Sequence, residues 1–384
     1  MTQHRSFWPL VLFIIALVFY WQTLAPTVLW GDDAYFQQAA FVGNTAFRPD
    51  GSAHWLWLKA AQQFIRLPWG NIAYRVNLLS AVAASITIVG IYAAARTLQL
   101  SVVAAIIAAT SLAISHTFWS QAVRAEVYTL FTALMSFQLA LWFYWQKNRP
   151  WPIYTAALLY GITIIGHQMA LLLWPGAMLL LWTRRHWLTP KQWLLLLLTF
   201  MIGLILFLGV IYTQIGQVAN LSMIISLQRY FTQSGDDYRQ AMLDFSSQTL
   251  LRDIILWLGF LGFQFFSPAL FLGIWGSVKS IRNYKQSNWL VLIILYLTMI
   301  LFAFSYHVND QFVFYLPSYL IFSLLIGRGW DEITQIWPHI TNLKTVSMII
   351  AFILIMPTAT YYLSGSFLDS QNINPFGIRQ FAYA

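Results

Sequence analysis

The sequence predicts an all-α, polytopic membrane protein: one domain of about eleven transmembrane helices, with further helices lying in the interface in its first external loop. Three observations predict it. Hydrophobic residues make up 59% of the 384 residues and charged residues 9%, against roughly 45–50% and about 25% in soluble domains. Apolar runs approaching the ~20 residues that cross a bilayer as a helix recur along the whole chain. The acids, only twelve in number, gather on one predicted face.

The first run, 7–24, has a basic flank but is too long for a cleaved signal core and lacks a small-x-small site before Trp30, so it is expected to remain as a signal anchor. Runs 74–95, 101–119 and 127–145 follow. Runs 152–166 and 168–182 are short and meet at Gly166-His167; they read as a hairpin, with one long tilted helix or a re-entrant pair as alternatives. Runs 192–214, 254–278, 288–306, 312–327 and 345–363 complete the set.

Orientation follows from the basic residues, which short cytoplasmic loops retain. With the N-terminus inside, Arg5, Arg96, Lys147, Arg149, Arg184, Arg185, Lys191, Lys279, Arg282, Lys285, Arg328 and Lys344 fall in the cytoplasm, twelve of the 21. The acids sort more sharply: only Asp331 and Glu332 lie inside, and the other ten of twelve lie outside. The expected location is a bacterial plasma membrane, N-terminus cytoplasmic and working face external. The net charge of +9 then reflects orientation in the bilayer; the basic residues are dispersed and form no stripe, which excludes a nucleic-acid partner. With no cysteine there is no disulfide, thiolate nucleophile or Cys-based metal site.

Two external segments are large, 25–73 and 215–253. In the first, Phe36, Ala39, Ala40 and Gly43, then Trp55, Leu58, Ala61 and Ile65, recur at helical spacing and predict two interfacial helices. Trp55, Trp57 and Trp69 suit the headgroup level. Arg48-Pro49-Asp50-Gly51-Ser52 between them is a turn sequence. The second carries helical periodicity through Leu221, Ile224, Ile225, Leu227 and Gln228, then a turn at Ser234-Gly235-Asp236-Asp237, and reads as a lid over an external cavity.

The residues able to carry chemistry lie on that external face. Asp32 and Asp33 follow the first span directly, and two adjacent carboxylates at a membrane mouth are unfavourable unless water, a cation or a reacting group compensates them. The bland alternative is that one of them caps a helix. His116, Arg124 and Glu126 cluster where the third run leaves the membrane and the fourth re-enters; Arg124–Glu126 could equally be a simple ion pair, and Glu126 a helix-dipole partner. His167, and His307 with Asp310, stand at two more external ends. No Walker loop, dinucleotide-binding glycine motif, HExxH helix or Gly-x-Ser-x-Gly elbow occurs, so an activated substrate must arrive through the lipid.

Four segments together resemble the GT-C superfamily of lipid-linked-sugar glycosyltransferases, in the branch similar to protein O-mannosyltransferases: WGDDAYFQQAA, LPWGNIAYRVNLLSA, SHTFWSQAVRAEVYTL and YHVNDQFVFYLPSY. They cover much of 24–135 and 305–320. The chain departs from that branch at Tyr35, where an acid is usual, and at Arg48-Pro49-Asp50-Gly51, where a His-Pro-Pro-Gly-Tyr-like stretch is usual.

The resemblance implies a polyprenyl-phosphate sugar, mannose or another hexose, as donor. It implies one inverting displacement onto a hydroxyl of a protein, glycan or lipid acceptor. Asp32 is then the expected base, with Asp33 positioning the acceptor or sharing a divalent ion with Asp32. The departing phosphate calls for cations or donors, for which Arg124, Arg239, Arg252, His116 and His167 are candidates, with Glu126 and Asp310 as their partners or as acceptor ligands. No tightly bound organic cofactor is expected. A lipid or glycan transporter would instead place polar residues in broken helices at mid-depth, where this chain has mostly Ser136, Gln138, Thr163 and Thr199. A non-catalytic assembly subunit is the third reading, favoured by Tyr35.

Overall fold

The computed structural model describes residues 7–29, 31–43, 54–216, 220–232, 247–282, 287–308 and 310–370. Arg239 and the turns expected at 48–52 and 234–237 lie outside the described residues.

In chain order the helices are α1 (Trp8–Gln22), α2 (Asp32–Val42), α3 (Trp55–Phe64), α4 (Ile72–Thr97), α5 (Val102–Ala113), α6 (His116–Ala122), α7 (Tyr128–Tyr144) and α8 (Trp151–Gly166). A 3-10 turn, Gln168–Leu173, leads into α9 (Trp174–Thr183). Then come α10 (Pro190–Ile211), closed by a π-turn at Tyr212–Gly216, α11 (Met223–Thr232), α12 (Ser247–Gln264), α13 (Pro268–Arg282), α14 (Ser287–Phe304), α15 (Gln311–Phe314), α16 (Leu316–Ile336) and α17 (Leu343–Ser370). There is no strand among the described residues.

The centre is built by α4 on α7, α13 on α16 and α5 on both α4 and α16, with α1 laid on α4. Small residues permit this closeness, as is usual where helices meet inside a bilayer. A Cβ on Gly276 of α13 would overlap the Leu325 carbonyl of α16, and one on Gly329 the Leu272 carbonyl. The outer helices α10 and α17 turn large apolar residues outward, including Leu197, Ile202 and Ile205, and Leu343 and Ile355, as lipid-facing helices do.

Helices α2 and α3 appear where the periodicity of 25–73 puts them, with Trp57, expected at headgroup level, fully buried instead, and the predicted hairpin is present. α8 starts near Trp145 at the end of α7, and α9 returns there, Arg184 Nη1 donating to the Trp145 carbonyl at 2.9 Å. Three expectations are corrected. The run 101–119 is two helices bent by 69°, because Ser115 is extended and its hydroxyl turns back to the Leu112 carbonyl. The run 254–278 divides at Phe265–Ser267, since the residue before Pro268 is pushed out of the helical region. The run 312–327 is a short helix followed by α16, which continues to Ile336 and carries Asp331 and Glu332. Among the described residues, three helices are individually long and apolar enough to span, and a fourth if the bent pair counts as one, so the number of eleven spans is not established.

The helix ends sort into two faces. At one, Lys279 and Arg328 pair with Glu332, Asp331 accepts from Ser101, and Arg184 holds α7 to α14. At the other lie Asp32, Asp33, Arg124, Glu126, His167, Asp253, His307 and Asp310.

Candidate active site

At this acidic face, Gly31 begins α2 with φ +78, a left-handed conformation that glycine tolerates. Gly31 takes the cap position, so neither Asp32 nor Asp33 is the N-cap; both sit in the first turn, where the helix dipole favours carboxylates. Asp32 is exposed, whereas Asp33 is 3% exposed. α2 is anchored from behind: Gln37 Nε2 donates to Asn77 Oδ1 at 2.8 Å, and Asn77 Nδ2 to the Ala25 carbonyl at 2.8 Å.

The segment between α6 and α7 is fixed by the same wall. The Ala25 amide donates to the Val123 carbonyl at 2.9 Å; Ser80 Oγ accepts from the Glu126 amide at 3.2 Å and donates to its carbonyl at 3.1 Å. Arg124 is thereby held between two acids, Nη1 at 3.8 Å from Asp33 Oδ2 and Nη2 at 3.5 Å from Glu126 Oε1.

One cation faces more acid than it can neutralise. Burial pushes Asp33 up to about 6, Arg124 opposing and Asp32 adding to the shift. Burial raises Glu126 well above the usual carboxylate range, and the charge of Asp33 raises it further against the opposition of Arg124. Burial and mutual repulsion thus raise both carboxyls against the single opposing charge of Arg124. Asp310, exposed at the start of α15, is close enough for its charge to act on Glu126 and to be acted on by Asp32 and Arg124. Of the five residues expected to line one cavity, Asp32, Asp33, Glu126 and Asp310 lie within electrostatic reach of one another, with Arg124 among them; the fifth, His167, stands against Tyr128.

His167 lies at the break between α8 and the 3-10 turn. Its Nδ1 accepts from the Met169 amide at 3.1 Å, which assigns the proton to Nε2. The ring stacks on His54 at 5.0 Å and lies 5.2 Å from Tyr128, which in turn meets Phe314 edge-on at 5.9 Å. Burial, with the neighbouring His54, holds His167 well below its ordinary value, so it is neutral.

A second cluster stands beside the first. Asp253 bonds His307 Nε2 at 3.0 Å and Arg252 Nη2 at 3.1 Å; the Arg252 side chain is 55% exposed. His307 follows Tyr306, whose ring meets Phe314 at 4.6 Å, so Phe314 and Tyr128 connect the two clusters. His116 does not join either: its ring packs on Phe263 and Tyr361, and its amide donates to the Tyr361 hydroxyl at 3.0 Å.

Sequence reasoning missed His54, Tyr128 and Asp253 as site residues. The adjacency Arg252-Asp253 at a span boundary was the available signal for the last. Among the described residues no group of three His, Cys, Asp or Glu is arranged to hold a metal ion. Asp33 is turned to Arg124, so sharing an ion with Asp32 would require it to leave that partner.

The comparisons with known proteins bear on this arrangement. The family model for the protein O-mannosyl-transferase TMEM260 N-terminal domain matches residues 48–191. The crystal structure of ArnT from Cupriavidus metallidurans bound to undecaprenyl phosphate superposes with a TM-score of 0.66 at 13% identity, covering 97% of this chain and 66% of that one. ArnT in the apo state gives 0.53 at 14% identity, over 86% and 61%. This chain thus shares the fold of ArnT and spans less than two thirds of the length of those structures. None of the curated proteins gives a significant match.

Proposed function

We propose that this protein is a GT-C-type membrane glycosyltransferase that moves a sugar, mannose or another hexose, from polyprenyl phosphate to a hydroxyl acceptor, with inversion, on the external face. The observation that carries the reading is Arg124 suspended between Asp33 and Glu126 beside the exposed Asp32. The match over 48–191 and the likeness to ArnT, one of whose structures holds undecaprenyl phosphate, support the donor class.

In this mechanism Asp32 is the base, because it is exposed where a hydroxyl can arrive while Asp33 is buried against Arg124. The acceptor oxygen forms a bond to the anomeric carbon and gives its proton to Asp32; the bond from that carbon to the phosphate oxygen breaks, and its electron pair leaves with the phosphate. Arg252, well exposed and held by Asp253, is better placed to receive that phosphate than Arg124, both of whose terminal nitrogens face carboxylates. Cationic donors help most here because the extra charge appears only as the bond breaks. The role expected for Arg124 changes accordingly: it orients Asp33 and Glu126.

The transporter alternative is weakened by the mid-span residues. Ser136, Thr163 and Thr199 each donate to a carbonyl about one turn back in an unbroken helix, as satisfied spans do. The deciding experiment supplies the purified chain in detergent with polyprenyl-phosphate sugars and hydroxyl acceptors, where no second compartment exists. Sugar transfer that Asp32→Asn abolishes supports the enzyme. Absence of transfer across several sugars and acceptors would overturn it.

A further inference from the structure

Far from the acidic cluster, α7, α8, α9 and α10 enclose a cavity of about 270 Å³. It follows from how α8 and α10 cross. At Gly161 and Gly203 their backbones touch, since a Cβ on Gly161 would overlap the Gly203 backbone. The lining residues of both helices lie on the basic-end side of that crossing, where the helices part. Tyr160 and Trp174 line the inner part, and Trp142 and Trp193 the part nearest the basic end. Trp174 and Met178 are 46% and 38% exposed, so the cavity opens sideways on the apolar flank of the bundle.

Water does not suit this space. At roughly 30 Å³ each it would take about nine molecules, every one needing two to four polar partners, and Gln138 and Tyr160 are the main polar groups in an otherwise hydrocarbon and indole lining. A hydrocarbon chain entering from the bilayer restores the dispersion contacts that a void forfeits.

The mouth selects the headgroup. Trp193 Nε1 donates to the Arg185 carbonyl at 3.3 Å, which sets the cavity directly below Arg185. Arg185 and Lys191 are exposed, and no carboxylate pairs with either among the described residues: Asp331 and Glu332 are engaged by Ser101, Arg328 and Lys279. Arg184 is buried and bound to the Trp142 and Trp145 carbonyls and to Asn288, whereas the exposed Arg185 makes one carbonyl bond, Nη1 to Trp182 at 2.9 Å, and lies over the Trp182 ring. Trp182, Trp187 and Trp193 mark the same level, as interfacial tryptophans do.

We propose that this cavity holds one acyl chain of an anionic phospholipid whose phosphate lies on Arg185 and Lys191. The proposal is independent of sugar transfer, which is assigned to the opposite face.

The test uses the purified full chain in bilayers of phosphatidylcholine with phosphatidylglycerol, one or the other carrying a photoactivatable acyl chain. Phosphatidylglycerol is expected to label peptides spanning 174–181 and 193–200 in preference to phosphatidylcholine. Arg185→Gln and Lys191→Gln should each reduce that labelling about five-fold, the effect of removing one cation near a membrane surface. Ala177→Phe, which fills the cavity, should abolish it at unchanged thermal unfolding. If that variant does not fold, the wild-type label map and the two charge variants decide the matter. Equal labelling by both lipids, labelling confined to other surfaces, or labelling that persists in folded Ala177→Phe would overturn the proposal.

Discussion

Raising the pH from 4 to 7 should destabilise the wild-type protein relative to Asp33→Asn. Asp33 titrates near 6 in the fold, against 3.8 for the free side chain. Below 3.8 the carboxyl is protonated whether the chain is folded or not. Between 3.8 and 6 the unfolded chain has released the proton and the folded chain still holds it, so stability falls as pH rises through that window and levels off above it. The difference of 2.2 units corresponds to about 3 kcal/mol. For a chain of this length, with an unfolding entropy of roughly 2.1 cal/mol/K per residue, that is a shift in Tm of about 4 °C. Asn cannot titrate, and because the unfolded carboxyl is already more than half ionised at pH 4, the wild type should lose about 3 °C more than the variant between pH 4 and 7. Thermal unfolding of both proteins in one detergent, read by intrinsic fluorescence, makes the comparison. Parallel Tm-versus-pH curves would refute the claim that Asp33 is buried with too little compensation.

Asp32→Asn keeps shape and removes proton acceptance; turnover is expected to fall by roughly 10²–10⁴ with donor binding retained, checked by single-turnover transfer alongside donor titration. Arg252→Gln should weaken donor binding by roughly ten-fold or more while leaving the unfolding temperature within a degree or so, because the side chain is largely exposed; unchanged donor affinity would remove Arg252 from the phosphate site. Gly276→Ala should cost about 1–3 kcal/mol by forcing α13 from the Leu325 carbonyl of α16. Gly259→Ala, with nothing within 4 Å of the new methyl, should be neutral or stabilising by up to about 1 kcal/mol; paired melts separate the two.

Much of the fold was legible because a bilayer permits so little. Composition and run length identified helices and their approximate ends, and the placement of acids and bases identified the two faces, both consequences of burying backbone and charge in hydrocarbon. The breaks at Ser115 and Pro268 were harder. Apolar run length is blind to a bend when residues on both sides are equally apolar, and only at Pro268 did a local residue announce it. In the candidate site, the grouping of Asp32, Asp33, Glu126 and Asp310 around Arg124 was foreseeable because charge near a bilayer needs a reason. Where the His116 ring packs, on Phe263 and Tyr361 from distant segments, was not legible from its place in the His116–Glu126 stretch.

By itself, then, the sequence determined the class of fold, the helices and the face on which carboxylates collect, since these depend on the local balance of apolar and charged groups. Partnership was decided only by tertiary structure. Which acid Arg124 meets, that Asp33 is sealed while Asp32 stays open, and that Asp253 joins Arg252 to His307 depend on contacts between segments 54 to more than 90 residues apart. Nor could chain order reveal the cavity below the Gly161–Gly203 crossing, because empty volume belongs to the space between helices and is encoded in none of them singly.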